Sequence, residues 1–265
     1  MNGYKCVVCI KQVPDTTKVT GEAMKPDGTV NRAALPAVFN PEDRNALEAA
    51  LQVKERYGGE VVAITMGLPA AKAILREALM CGADRAILLT DRKAAGSDTL
   101  ATSYILSQAV KSLEPDLVFC GRQAIDGDTA QVGPQIGEKL DCAVVTYLEK
   151  LELDGRTATA VRDIGTGVET CRATLPALFT VTEKFGELRP YRMRRVMKYK
   201  NAEPETLDCA AVGCEDSRCG FAGSPTSVDK IESVVLAGGD FKEIPPTDEG
   251  IGALVAGLIK DHTIG

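Results

Sequence analysis

Asp116-Leu117-Val118-Phe119-Cys120 runs into Gly121-Arg122-Gln123-Ala124-Ile125-Asp126-Gly127-Asp128-Thr129-Ala130-Gln131-Val132-Gly133. The first five residues read as a strand, Gly121 to Thr129 as a loop, and Gln131 to Leu140 as a helix, with Asp128 and Gln131 spaced as a capping-box-like pair. In an open parallel sheet, ligands bind where a strand's carboxyl end feeds such a loop. Backbone N–H groups and the positive end of the helix dipole favour a phosphate there, and the glycines allow close backbone approach. Thr129 and Gln131 add side-chain hydrogen bonds. No Lys-Ser/Thr pair follows, so this is not a P-loop and ATP hydrolysis gains no support. Asp126 and Asp128 are awkward beside an anion and must point elsewhere or act as caps. From the residues alone, a phosphate site and an ordinary capped helix stand at even odds.

The same alternation continues on both sides of this stretch. Lys5 to Ile10 is a β-rich run, and Pro26-Asp27-Gly28-Thr29 carries a hairpin-turn signal. Asn40 is a good N-cap and Pro41 suits the first position of a helix whose apolar face is Ala46, Leu47, Ala50, Leu51 and Val53, ended by Gly58-Gly59. Val61 to Met66 and Ala86 to Leu89 read as strands around a helix from Ala70 to Met80, with Gly82 as its C-cap. Gly96-Ser97-Asp98-Thr99 opens a helix to about Leu113. Val144 to Leu153 and Thr157 to Asp163 flank Asp154-Gly155 as an antiparallel hairpin. Glu169 to Arg172 and Ala177 to Thr182 are further strands. The expected fold is α/β: a Rossmann-like, mostly parallel sheet with helices on both faces.

After Glu183 the texture changes. Arg189 to Lys200 is crowded with basic residues, and Asn201 to Val228 is rich in Gly, Pro, Ser and Cys. Ile231 to Ala237 is a last apolar run, and Gly252 to Lys260 reads as a terminal helix. Residues 1–183 are therefore expected to form a nucleotide-binding α/β domain. Residues 184–265 are expected to form a C-terminal extension with little core of its own that packs on a partner.

At 265 residues the chain is long enough to bury a sizeable core, and 45% hydrophobic with 26% charged residues is ordinary for a globular protein. A net charge of −6 argues against a nucleic-acid binder. No apolar run approaches the ~18 residues of a membrane span, and Cys6 to Ile10 is too short for a signal-peptide core, so a cytoplasmic protein is expected. A single histidine, His262, leaves His-based hydrolysis and zinc chemistry little material. Redox work would need a bound cofactor.

Among the other chemistry-bearing residues, Ser97, Thr99 and Thr102 place hydroxyls beside Asp98 at a helix start, where a phosphate or polyol would fit, although Ser97 or Asp98 as a simple cap is the commoner outcome. Cys9-Ile10-Lys11 and Thr65-Met66-Gly67 fall at the same sheet edge. In Cys6-Val7-Val8-Cys9 the strand period sends the two thiols to opposite faces. Cys209, Cys214 and Cys219 lack the usual close-pair spacing and an evident fourth ligand, so no metal is expected. Tyr191, Met193, Val196, Met197 and Tyr199 interleave with Arg189, Arg192, Arg194, Arg195, Lys198 and Lys200, a composition that fits a protein-contact surface.

Together these pieces resemble the beta (small) subunit of the electron-transfer flavoproteins. The resemblance rests on Val8-Cys9-Ile10-Lys11-Gln12-Val13-Pro14-Asp15, Asn40-Pro41-Glu42-Asp43, Cys81-Gly82-Ala83-Asp84-Arg85 and Gly121 to Asp126 with Gln131 and Gly133. It continues through Leu175-Pro176-Ala177, Val196-Met197-Lys198-Tyr199-Lys200 and Gly223-Ser224-Pro225-Thr226, across nearly the whole chain. It implies a nucleotide held by Cys9, Ile10, Lys11, Asn40, Asp43, Thr65, Met66, Gly67, Gly121, Arg122, Gln123, Ala124, Ile125, Asp128, Thr129, Ala130, Gln131, Val132 and Gly133. Common members hold AMP structurally; members that oxidise NADH and bifurcate electrons hold FAD. Gly96 to Ser103 looks like the FAD-containing subset, with Asp98, Thr99 and Thr102 beside the pyrophosphate and ribityl chain. The resemblance further implies an alpha subunit carrying a second FAD. It also implies a partner such as an acyl-CoA or 2-hydroxy-acid dehydrogenase, met by a recognition loop at about 184–203 through Tyr191, Met193, Arg194 and Arg195. No side chain is expected to be a general acid or base, while Arg122 could tune the flavin. A non-bifurcating AMP carrier and a regulatory module of universal-stress type are the alternatives. A lone NAD enzyme is weaker, since no Gly-x-Gly-x-x-Gly turn follows the first strand.

Overall fold

Tyr4-Lys5-Cys6-Val7-Val8-Cys9 is apolar on both sides of its pleat, as a strand covered on both faces must be. It forms β1 (Tyr4–Cys9) at the middle of a nine-stranded sheet in the computed structural model, which describes residues 3–15, 35–226 and 243–264. Chain order continues through β2 (Gln12–Pro14), β3 (Ala37–Phe39), α1 (Pro41–Tyr57), β4 (Gly59–Met66), α2 (Lys72–Cys81), β5 (Arg85–Leu89) and α3 (Thr99–Ser112). Next come β6 (Leu117–Gly121), α4 (Val132–Lys139), β7 (Ala143–Asp154), β8 (Thr157–Asp163), β9 (Val168–Thr174) and β10 (Ala177–Val181). The later elements are α5 (Met193–Tyr199), β11 (Glu205–Leu207), α6 (Gly220–Gly223) and α7 (Asp248–Lys260).

The sheet order is β11-β5-β4-β1-β6-β10-β7-β8-β9. Every pairing from β11 to β7 is parallel, and β8 and β9 add antiparallel edges. The mostly parallel α/β fold expected from the alternation is the fold observed. Gly155, at φ 56°, makes the β7–β8 turn. From β1 the chain steps outward to β4 and β5, then returns through α3 to β6 on the other side of β1. That reversal opens a crevice beyond the carboxyl ends of β1 and β6.

Successive side chains of β1 feed two cores. Cys6 and Val8 join Ala46, Leu47 and Leu75 from α1 and α2, while Val7 and Cys9 join Ile105, Ala109 and Ile136 from α3 and α4. The expectation that Cys6 and Cys9 face opposite ways is met. Phe119 and Phe179, on neighbouring β6 and β10, stack with centroids 5.6 Å apart under α1.

Part of the segment after residue 183 is added to the sheet and its core. Glu205–Leu207 pairs in parallel with Ile87 to Leu89, and Cys209, Val212 and Cys219 are buried in the α3-side core. Three residues of mixed polarity are too few for strand periodicity to register, and thiols in a loop do not read as core. On the other face α5 packs along α2, where Arg195 donates to Leu79 O at 2.8 Å and to Ala83 O, satisfying carbonyls at that helix's end. Helix α7 is found where Gly252 to Lys260 was expected, one turn longer at its start. The Asp27-Gly28 turn and the Ile231 to Ala237 run lie outside the described residues; β2 and β3, on either side of the former, do pair antiparallel.

Candidate functional site

A cavity of about 420 Å³ opens beyond the carboxyl ends of β1, β4 and β6, between the first turns of α3 and α4. The expected residues Cys9, Ile10, Lys11, Asp43, Met66, Asp98, Thr99, Thr102, Gly121, Arg122, Gln123, Ala124, Asp128, Thr129, Ala130, Gln131, Val132 and Gly133 all line it. Asn40, Thr65, Gly67 and Ile125 do not. Ser97 and Gly127, each within a stretch read as ligand-binding, line it too, as do Leu106 and Cys120, which were not singled out as site residues. Thr99, Thr102 and Leu106 stand at i, i+3 and i+7 on one helix face, a spacing that could have found Leu106. Cys120 is the register partner of Cys9 across β1 and β6, and the two thiols form a soft floor. A hydrogen bond with Cys9 and burial push the Cys120 thiol well above its ordinary range.

The first turn of α1 builds the rim. Asp43 is buried, and its carboxyl accepts Lys11 N at 2.8 Å and Gly121 N at 3.0 Å, stitching the ends of β1 and β6 together. Burial outweighs these bonds and pushes its pKa up to about 7. Gly121 is required by this close approach, because a Cβ there would lie 2.4 Å from Asp43 Oδ1 and 2.8 Å from Asp43 N. Glu42 accepts Arg122 Nη2 at 2.6 Å and Gln123 N at 2.8 Å.

Asn40 does not cap α1 through its side chain, contrary to expectation. Its Nδ2 donates to Gln123 O at 2.8 Å and its Oδ1 accepts Ile125 N at 3.1 Å, so it clamps the 122–125 loop. An asparagine at that position can serve either purpose, and the loop lies too far along the chain for local reading to choose. Arg122 is likewise occupied: its guanidinium is paired with Glu42 and lies 5.9 Å from the Tyr147 ring.

The capping-box reading of Asp128 and Gln131 is also corrected. Asp128 sits at φ 49° and accepts from Gln123 Nε2 at 3.0 Å, while Gln131 Oε1 accepts Thr99 Oγ1 at 2.8 Å. Gln131 therefore ties the two helix starts together, and α4 begins with no side-chain cap. Asp128 and Ala130 are both left-handed, at φ 49° and 52°. Such strain, about 1–3 kcal/mol each, is characteristic of backbone shaped for a ligand. Left-handed turns also gather N–H groups into anion-binding concavities. Lys11 Nζ pairs with Asp126 at 2.7 Å, which neutralises one of the two awkward acids.

Helix α3 is capped by Asp98, whose Oδ1 accepts Ala101 N at 3.0 Å. Its position is set from the tail: Asp98 N donates to Ser224 Oγ at 2.8 Å, and Thr226 Oγ1 donates to Asp98 Oδ2 at 2.9 Å. The arrangement is a largely preformed slot with an apolar floor, a hydroxyl-lined wall and a helix start open to an anion. It suits a planar ligand bearing phosphates.

Of the expected partner-contact residues, Tyr191, Met193 and Arg194 are exposed, Met193 at 75%. Arg195 is turned inward onto α2. Met197, named with this stretch from the sequence, is 69% exposed one turn after Met193 and extends that apolar face. Elsewhere, the Sγ atoms of Cys209, Cys214 and Cys219 lie within 4.8 Å of one another. Their even spacing in the sequence gave no hint of this convergence.

A model of the electron transfer flavoprotein domain matches residues 27–212. The electron transfer flavoprotein subunit beta of Clostridium acetobutylicum is 41% identical over 258 residues, covering 97% of this chain and 99% of its own length. The protein FixA of Azorhizobium caulinodans is 42% identical over 270 residues, covering 96% and 93%. The acryloyl-CoA reductase electron transfer subunit gamma of Anaerotignum propionicum is 39% identical over 262 residues, covering 96% and 93%.

Proposed function

Because the chain belongs to the electron transfer flavoprotein family, we propose that it is a beta-type subunit whose rim cavity holds FAD and which, with an alpha subunit carrying a second FAD, moves electrons from NADH by flavin-based bifurcation. The observation that carries the FAD reading is the wall opposite the 121–133 loop. Ser97, Thr99 and Thr102 line the same cavity as the uncapped start of α4. An AMP phosphate needs one such wall; a pyrophosphate with a ribityl chain uses both. The cavity volume of about 420 Å³ lies within the ~300–1,000 Å³ of small-molecule sites, and its opening leaves a bound ring accessible.

The isoalloxazine ring supplies hydride acceptance and single-electron steps when bound, and the protein supplies grip, orientation and tuning. Backbone amides from Thr129 to Gly133, at the start of α4, hold phosphate; those of Gly121, Gln123 and Ile125 are already given to Asp43, Glu42 and Asn40. Asp43 and Asn40 act one step back, keeping strand ends and loop in place. Met66 and the Cys9–Cys120 floor give polarizable surface to a ring.

We assign the C-terminal tail to the alpha subunit: α7 leaves Ile251, Leu254, Val255 and Ile259 exposed, a face suited to a subunit contact. Tyr191, Met193, Arg194 and Met197 are assigned to a flavin dehydrogenase. The relative named as an electron transfer subunit of acryloyl-CoA reductase favours an acyl-CoA-type partner over a 2-hydroxy-acid dehydrogenase. Among the described residues no helix is long and apolar enough to cross a membrane.

Denaturing the purified complex and counting the released nucleotides tests this. Two flavins per heterodimer are expected; one flavin with one AMP would overturn the bifurcating reading in favour of a simple carrier. A second prediction concerns the contact face. Met193→Asp should slow electron delivery to the dehydrogenase about tenfold, as loss of a central apolar anchor does, with flavin content and thermal stability unchanged. Stopped-flow reduction of the partner measures it.

A further inference from the structure

We infer that Cys209, Cys214 and Cys219 form a binding site for a thiophilic divalent cation of the zinc class, which clasps the 205–226 segment onto the sheet. The three Sγ atoms lie within 4.8 Å of one another, although the residues are spread over two turns and a loop. Thiolates bound to zinc at about 2.3 Å stand about 3.8 Å apart, so closure around an ion needs movements of under about 1 Å. Cys209 and Cys219 are buried and Cys214 is half-buried, which leaves one side for entry and for a fourth ligand such as water.

The loop holds this shape through contacts that do not involve the sulfurs as ligands. Cys214 N donates to Cys209 O at 2.9 Å, Cys209 N to Asp91 Oδ2 at 3.2 Å, and Glu215 N to the Tyr104 hydroxyl at 3.0 Å. Arg218 lies 3.8 Å over the Tyr104 ring, and its positive charge acts on Cys214. That charge offsets part of the excess negative charge that three thiolates leave on a divalent ion. Burial pushes the Cys209 and Cys214 thiols up to about 12, so these two keep their protons until a cation displaces them. Binding exchanges three S–H bonds for three S–metal bonds and releases three protons.

The position gives the clasp a consequence. The same segment carries Phe221, whose ring sits where a Cβ on Gly96 would lie at 2.3 Å, and Ser224 and Thr226, which hold Asp98. Metal loading therefore stiffens the cavity wall from Gly96 to Thr102. The metal reading itself is independent of which nucleotide the cavity takes.

The test uses the full chain purified under reducing conditions in zinc-replete medium, with zinc and cobalt(II) as probes. Emission spectrometry should find about one zinc per chain, and apo-protein should release about three protons per zinc added in a weakly buffered titration. Cobalt(II) should give sulfur-to-metal charge-transfer absorption. Cys214→Ser, at the half-buried position, should lose most of the zinc, and Cys171→Ser on β9 should keep it. Less than about 0.1 zinc per chain with no cobalt charge-transfer band would overturn the site. So would zinc retained in Cys214→Ser and Cys209→Ser alike, or a disulfide within the trio persisting in zinc-free protein under reductant.

Discussion

Asn40→Ala should weaken retention of the rim nucleotide about 10- to 100-fold while costing the fold only about 1–2 kcal/mol. Asn40 is fully buried; beyond its contact with Asp43, it bonds Gln123 O and Ile125 N of the 122–125 loop. Removing it leaves Ile125 N and Gln123 O without partners, and each orphaned buried group costs roughly 1–3 kcal/mol. The loop escapes part of that penalty by moving outward to water, so the folded chain survives. Binding must then order the loop again, and that cost falls on affinity. Asn40→Asp keeps the acceptor for Ile125 N and loses the donor to Gln123 O, so it should fall between the two. Nucleotide dissociation followed by fluorescence or by filtration measures all three proteins, and equal retention would contradict the clamp.

Asp43→Asn should remove a pH dependence of stability worth about 4 kcal/mol. Burial raises the Asp43 pKa from 3.8 to about 7. Between those values the folded protein keeps a proton that the unfolded chain gives up. The protonated carboxyl therefore stabilises the fold fully below about pH 4, and this contribution is lost as pH rises through about 7. Three pH units at about 1.4 kcal/mol each set the magnitude. Urea unfolding from pH 4 to 8 should show the wild type losing stability relative to Asp43→Asn across that window. A flat difference would contradict it. The same charge sits beside the phosphate wall, so retention of an anionic nucleotide should weaken over the same range in the wild type alone.

The two predictions turn on residues whose roles could be read only in part from the sequence. The parallel sheet was legible because strands covered on both faces carry unbroken apolar runs, as in Leu117 to Cys120, and because helices separate them at regular intervals. The cavity was legible because ligand sites in such sheets follow topology, and a strand–loop–helix junction is a local pattern. The clamps were not. Glu42 and Arg122 are 80 residues apart, and an acidic residue in a helix's first turn already has a local explanation in the helix dipole. Asn40 and Gln131 looked like caps for the same reason: the side chains that cap a helix also bridge between elements. The tail's contribution was hidden because β11 is three residues long and because Cys209, Cys214 and Cys219 are brought together by irregular loop backbone, which carries no periodic signal.

The central claim is that a nucleotide cofactor sits at the carboxyl rim of β1 and β6, held by main-chain amides. Amide hydrogen exchange on cofactor-loaded and cofactor-stripped protein tests it most directly. Slowed exchange is expected at Thr99, at the start of α3, and through 129–133, with β7, β8 and β9 unchanged. Equal exchange at those amides in both forms, or protection centred on the β8–β9 edge, would contradict it.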